Sequence, residues 1–225
     1  MSRRIMAIMG CGLLATAALS LTGFTALGGF SATVENNAGS TGSGTLLLQE
    51  GVGSTICIST GTGTTSSTAI TGNDNATCPI DLFNDSNLDP GATESTTVTL
   101  TNPGTLAGSS LALDPGTCTQ SDNSSPGGTS NTYYGTDTDF CGELDVTIED
   151  DGTSTCVFPA SGSPCGAPSS SGTLDSLAGA DQTGLPGLGA GDSTTYTVTI
   201  GLDSGATNAD QGLLATVPLT WVLSQ

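Results

Sequence analysis

Seven cysteines and twenty-one carboxylates are the side chains of this 225-residue sequence with the most scope for chemistry. Histidine is absent, and the only basic residues are Arg3 and Arg4. Without histidine there is no Ser-His-Asp or Cys-His catalysis and no HExxH zinc motif. Without lysine there is no Schiff base and no Ser-Lys pair. Asp203-Ser204-Gly205 matches the Asp-[Ser/Thr]-Gly of aspartic proteases. One copy is expected by chance in a chain so rich in Ser, Thr and Gly, and the second carboxylate would have to come from another molecule. No catalytic, cofactor-binding or metal residues are therefore assigned. The one ion to consider is Ca²⁺, which takes oxygen ligands. Asn73-Asp74-Asn75, Asp137-Thr138-Asp139 and Glu149-Asp150-Asp151 offer such oxygens, although clusters of this kind more often form turns.

Cysteine spacing carries more information. Cys11 falls in the apolar N-terminal stretch, which leaves Cys57, Cys78, Cys118, Cys141, Cys156 and Cys165. An even number fits three disulfides in an exported protein, with fifteen connectivities open. Sequential pairing, Cys57–Cys78, Cys118–Cys141 and Cys156–Cys165, would close one polar loop with each bridge. Each closure adds roughly 3 kcal/mol in the loop-entropy account. There is no CxxC, so a zinc site would need an unusual all-cysteine spacing.

Charge narrows the partners. All the acidic residues lie at or after Glu35, so a chain that loses its N-terminal segment keeps no basic side chain. Nucleic acid is excluded as a partner, because phosphate binding requires Lys and Arg. Membrane contact is expected only through the N-terminal segment. Arg3-Arg4 followed by the apolar run Ile5–Leu21 reads as a secretory signal, with Ala26-Leu27-Gly28 as a small-x-small cleavage site. The expected division is a signal peptide over 1–28 and a single secreted domain over 29–225.

The elements that position these residues read as strands. Beyond the signal no sustained 3.6-residue apolar stripe occurs. Thr93–Thr101 sets Val98 and Leu100 against Thr97, Thr99 and Thr101, between the turns Asp89-Pro90-Gly91 and Asn102-Pro103-Gly104. Leu111 and Leu113 alternate on the next strand, and Leu144, Val146 and Ile148 on another. Asp150-Asp151-Gly152 turns the chain into a hairpin with Ser154–Phe158. Tyr196, Val198 and Ile200 alternate with threonines, and Leu213–Leu223 closes the sequence. Thr55–Ser59 is a short strand with Ile56 and Ile58 on one face and Cys57 on the other. Gly61–Asn75, Gly116–Thr138 and Ser161–Ser171 read as polar loops. The fold class is all-β: an antiparallel β-sandwich with long Gly/Ser/Thr-rich loops behind an N-terminal signal helix.

Four motifs occur in order: Gly44-Thr45-Leu46-Leu47-Leu48 after Phe30 and a polar stretch; Asn87-Leu88-Asp89-Pro90-Gly91 with its Thr-rich strand and Asn102-Pro103-Gly104-Thr105-Leu106; Gly191-Asp192 before a Tyr/Thr/Val strand; and Asn208-Ala209-Asp210-Gln211-Gly212 before a final Trp221 strand ending in Gln225. Together they resemble the TasA/camelysin family of secreted bacterial surface proteins. The resemblance implies a jelly-roll sandwich, a signal read by a SipW-type signal peptidase, and a place in the extracellular matrix of a biofilm or on the cell surface. It also implies self-assembly into fibres by strand donation. The candidate donor is Gly29–Glu35, in which Phe30, Ala32 and Val34 alternate with polar residues. Camelysin-type members have been classed as metallopeptidases, an activity for which this sequence has no conventional zinc ligands. A monomeric surface adhesin, or a module binding glycans or cations, is the third function the sequence leaves open.

Overall fold

The computed structural model describes residues 44–59, 81–83, 88–122 and 135–225. The expected signal peptide, the donor strand with Phe30, Ala32 and Val34, Cys78 and the Asn73–Asn75 cluster lie outside the described residues. Eleven strands and two short helices follow in order: β1 Gln49–Val52, β2 Thr55–Ile58, β3 Thr93–Thr101, β4 Ser110–Pro115, β5 Thr119–Asp122, α1 Phe140–Glu143, β6 Leu144–Asp150, β7 Thr155–Phe158, α2 Leu174–Leu177, β8 Gln182–Pro186, β9 Ser193–Leu202, β10 Leu213–Thr216 and β11 Leu219–Ser224. They form a six-stranded sheet in the order β2-β1-β3-β9-β6-β7, a three-stranded sheet β11-β4-β8 and a ribbon β10-β5. All the pairings are antiparallel. The chain crosses between layers at β3–β4, β7–β8 and β8–β9, in the manner of a jelly roll.

Alternation decides which face of each strand is buried. Val98 and Leu100 of β3, Val146 and Ile148 of β6, and Val198 and Ile200 of β9 point into one core. Leu111 and Leu113 of β4 and Trp221 of β11 meet them from the second sheet. The rings of Tyr196 and Trp221 stack across the two layers with centroids 4.7 Å apart. Full burial of such side chains stabilises the fold by about 1.5–3 kcal/mol each.

The motif turns fix how the strands connect. Gly91 has φ +80, the left-handed conformation that glycine adopts without strain, and its N–H donates to the Leu202 carbonyl. Asn102 is fully buried: Nδ2 donates to the carbonyls of Leu106 (2.8 Å) and Leu188 (3.1 Å), and Oδ1 accepts the Gly104 N–H (3.0 Å). A Cβ at Gly104 would collide with the Thr45 carbonyl oxygen, so the first described segment can close on this turn only over a glycine.

Two elements differ from the sequence expectation, and in a third the alternation holds and the structure shows which face is buried. The polar stretch Gly116–Thr138 contains β5, which has no apolar stripe of its own and pairs with β10, whose Leu213 and Ala215 face the core. The closing stretch is two strands, because the chain leaves the β10 pairing before Pro218 and re-enters in another sheet as β11. In β2, Cys57 points inward while Ile56 remains 43% exposed.

Candidate functional site

Two concavities flank the six-stranded sheet. The first, of about 330 Å³, opens where the ends of β6 and β9 meet β10. Its floor is apolar, made of Leu88, Phe140, Leu144, Ile200, Leu202 and Leu213. Its rim is polar, with Asp89, Asn208 and Asp210. The rim is held by local bonds: Asp210 Oδ2 accepts from the Thr207 N–H (2.6 Å) and hydroxyl (3.3 Å), and Gln211 Nε2 donates to Asn208 Oδ1 (3.1 Å). The Asn-x-x-Gln-Gly motif thereby shapes the edge of this groove. Leu214, 45% exposed, stands on its margin.

The second concavity, of about 390 Å³, lies on the outer face of the same sheet. Its floor is hydroxyl-bearing: Thr147 of β6, Thr197 and Thr199 of β9, and Thr93 of β3. The segment Cys165–Pro168 forms one wall, and Pro168 sits over Gly201. The Cys156–Cys165 disulfide ties that wall to β7. Glu149 Oε2 accepts the Cys165 N–H (2.8 Å), which fixes both the wall and the carboxylate. Asp151 is aimed at the floor by the Thr197 hydroxyl, which donates to its Oδ2 (3.0 Å). On the open side, paired hydroxyls continue the floor: Ser95 with Thr199 at 2.8 Å and Thr101 with Ser193 at 2.9 Å.

The structure separates the oxygen clusters named from sequence. Glu149 and Asp151 face outward, but Asp150 between them faces in and is 4% exposed, as a period of two dictates. Its carboxylate accepts from the Gly152 N–H (2.9 Å) and the Thr153 hydroxyl (3.0 Å), closing the hairpin turn. Asp137 Oδ1 accepts the Asp139 N–H (3.1 Å), and Asp203 Oδ1 the Gly205 N–H (2.6 Å). The aspartic-protease-like triplet is thus a turn. Among the described residues no three His, Cys, Asp or Glu side chains converge as metal ligands.

Carboxylates crowd one end of the sandwich. Burial, and then the charges of Asp210, Asp137, Asp203 and Asp139, raise the pKa of Glu143. Burial and the Asp203 charge raise that of Asp145. Burial raises Glu50 on β1. Asp137 is shifted down, first by the Asp139 N–H and then by its hydrogen bond with Asp210.

Cys118 is bonded to Cys141 and Cys156 to Cys165, two of the sequential pairs. Cys57 is also disulfide-bonded, and its expected partner Cys78 lies outside the described residues. These bridges are consistent with an oxidising compartment. Sequence reading named Glu149 and Asp151 but missed the threonine floor beneath them. The signal available was the identical Thr-x-Thr-x-Thr run in two strands, Thr97–Thr101 and Thr195–Thr199. The groove residues gave no such signal, because they come from four separate segments. In comparisons with models of known families and with curated proteins, the chain matches none.

Proposed function

We propose that this chain is a secreted structural protein of the TasA/camelysin kind, a subunit of extracellular matrix or cell-surface fibres that joins its neighbours by strand donation. The observation that carries the reading is the apolar groove between β9 and β10, whose floor of Leu144, Ile200, Leu202 and Leu213 is open to solvent at a polar rim. An incoming strand with apolar residues at every second position would bury one face there. Phe30, Ala32 and Val34 have that spacing in Gly29–Glu35, and the Gly/Ser/Asn-rich residues 36–44 supply the reach. The disulfides support secretion, and the large excess of carboxylates keeps unassembled subunits soluble through mutual repulsion.

The test is deletion of Gly29–Glu35 behind an unrelated signal peptide, beside Leu214→Arg, which places a charge on the groove margin without entering the core. Negative-stain microscopy of the intact mature protein should show fibres, and both variants should remain folded monomers. Fibres that persist in both variants would overturn strand donation. A deletion that unfolds the domain would instead assign Gly29–Glu35 to the sandwich of its own chain.

A further inference from the structure

We propose that the hydroxyl-floored trough on the outer face of the six-stranded sheet binds a glycan strand that carries free amino groups. The inference stands on a different surface from the groove and does not depend on fibre assembly.

The trough has a built floor and one built wall. Its floor is a grid of hydroxyls set by strand register, with Thr147 opposite Thr199 and Glu149 opposite Thr197. Each hydroxyl both donates and accepts, so the floor matches a ligand equally dense in hydroxyls. The wall Cys165–Pro168 is held by a disulfide and by the Glu149 carboxylate, so little ordering is required when a ligand enters. From Thr197 to Thr199 the floor runs about 7 Å along β9, and Thr147 and Thr93 widen it on either side, which suits one or two sugar rings.

Charge selects the kind of glycan. Glu149 and Asp151 stand at one end of the trough, and each spends one oxygen on a protein donor. The second oxygen of each takes no protein donor among the described residues. No basic residue lies beyond Arg4, so a sulfated, phosphorylated or uronic-acid glycan would meet only repulsion. An ammonium group on a sugar ring would reach the carboxylates while the ring hydroxyls lie over Thr197 and Thr199. A lysine-rich peptide would satisfy the carboxylates but leave the hydroxyl floor unmatched.

The experiment is calorimetric titration of the mature protein with a glucosamine hexamer, its N-acetylated counterpart and hexalysine. The glucosamine hexamer should bind, and the acetylated one about tenfold or more weakly, as loss of a charged hydrogen bond implies. Asp151→Asn should lower affinity by a similar factor, whereas a control variant with Asp114→Asn and Asp122→Asn, remote from the trough, should keep it. Ala167→Trp fills the trough from an exposed wall position and should abolish binding while leaving the melting temperature unchanged, which guards against a folding artefact. The proposal is overturned if the wild-type protein does not bind, if hexalysine binds as tightly as the glucosamine hexamer, or if Ala167→Trp binds normally. A control variant that loses as much as Asp151→Asn would also overturn it, by showing general attraction to a polyanion.

Discussion

Beyond the last residue of β3, Asn102 is fully buried and both polar atoms of its side chain have partners. At the opposite end of the sheet Asp145, opposite Gly201 on β9, is nearly as buried at 6% exposure, and its Oδ1 has no hydrogen-bond partner among the described residues. The chemistry of the two ends differs accordingly. The Asn102 side chain is neutral and fully satisfied, so it specifies one geometry at any pH. The aspartate end gathers Glu143 and Asp145 beside the carboxylates of Asp203 and Asp210, with no cation near them among the described residues, so its stability follows the protonation of Glu143 and Asp145. A buried polar group fixes structure when its partners are in the fold, and senses its surroundings when they are not.

The largest effect is expected at the neutral end. Asn102→Ala leaves the Gly104 N–H and the Leu106 and Leu188 carbonyls without the amide that joins them. At about 1–3 kcal/mol for each orphaned buried group, the loss should be on the order of 3–5 kcal/mol. Urea unfolding of the mature domain measures it, and a loss below about 1 kcal/mol would show that water replaces the amide without difficulty. The size should not change between pH 5 and pH 8, because the hydrogen-bond partners of the amide are backbone groups that do not titrate.

Next comes the bridge that restrains the acidic end. Cys118–Cys141 spans 23 residues and links the chain just before β5 to α1. There Gln120 already joins the layers, accepting the Phe140 N–H (2.8 Å) and donating to the Asp137 carbonyl (3.0 Å). Replacing both cysteines by alanine should cost about 3 kcal/mol. The comparison is sharpened if this variant makes the melting temperature more dependent on pH, since a looser end lets the carboxylates separate when charged. An unchanged pH profile would mean that the bridge and the carboxylates act independently.

The two ends also differed in how far they could be read from sequence. Asn102-Pro103-Gly104 was legible as a turn because its physics is local: proline sets φ, and glycine admits a close backbone. The strands β3, β6 and β9 were legible because Val98, Val146 and Val198 each sit in a clear period of two. By contrast β5 and β8 carry Thr-Gln-Ser-Asp and Gln-Thr-Gly-Leu-Pro, in which no apolar face repeats. Their pairing comes from tertiary context, which overrides weak local preference. Asp145 was unreadable for a related reason. At the start of β6 residues on both faces are buried, Asp145 as well as Leu144 and Val146, and residues 172–173 pair along its edge, so alternation no longer tells inside from outside. The trough is a partial case. Its carboxylates were visible as a cluster, but its floor is assembled by strand register and its wall is brought to it by the Cys156–Cys165 disulfide and the Glu149 carboxylate.

The smallest expected effect is the one that isolates the acidic end. Glu143 and Asp145 at this end, and Glu50, which sits opposite Leu100 nearer the asparagine end, all have folded pKa values raised above their ordinary values of 4.5, 3.8 and 4.5. A raised carboxylate favours the folded state fully below its unfolded pKa, and that contribution is lost as pH rises through the folded value. The melting temperature should therefore climb as pH falls from 8 toward about 4.5. Asp137 acts in the opposite sense, because its pKa is lowered. Its contribution is lost only as pH falls below its ordinary 3.8, outside this window. Asp145→Asn removes the charge and keeps the shape, and the new amide can donate to neighbouring carboxylates, so the variant should melt slightly higher than wild type at pH 8. At pH 4.5, where the wild-type Asp145 has begun to carry its proton, the difference should shrink. A stabilisation that is equal at both pH values would assign the gain to the new amide hydrogen bond rather than to relief of a buried charge. A destabilised variant would mean that Oδ1 has a partner in solution, and the contrast between the two ends would then fail at its central residue.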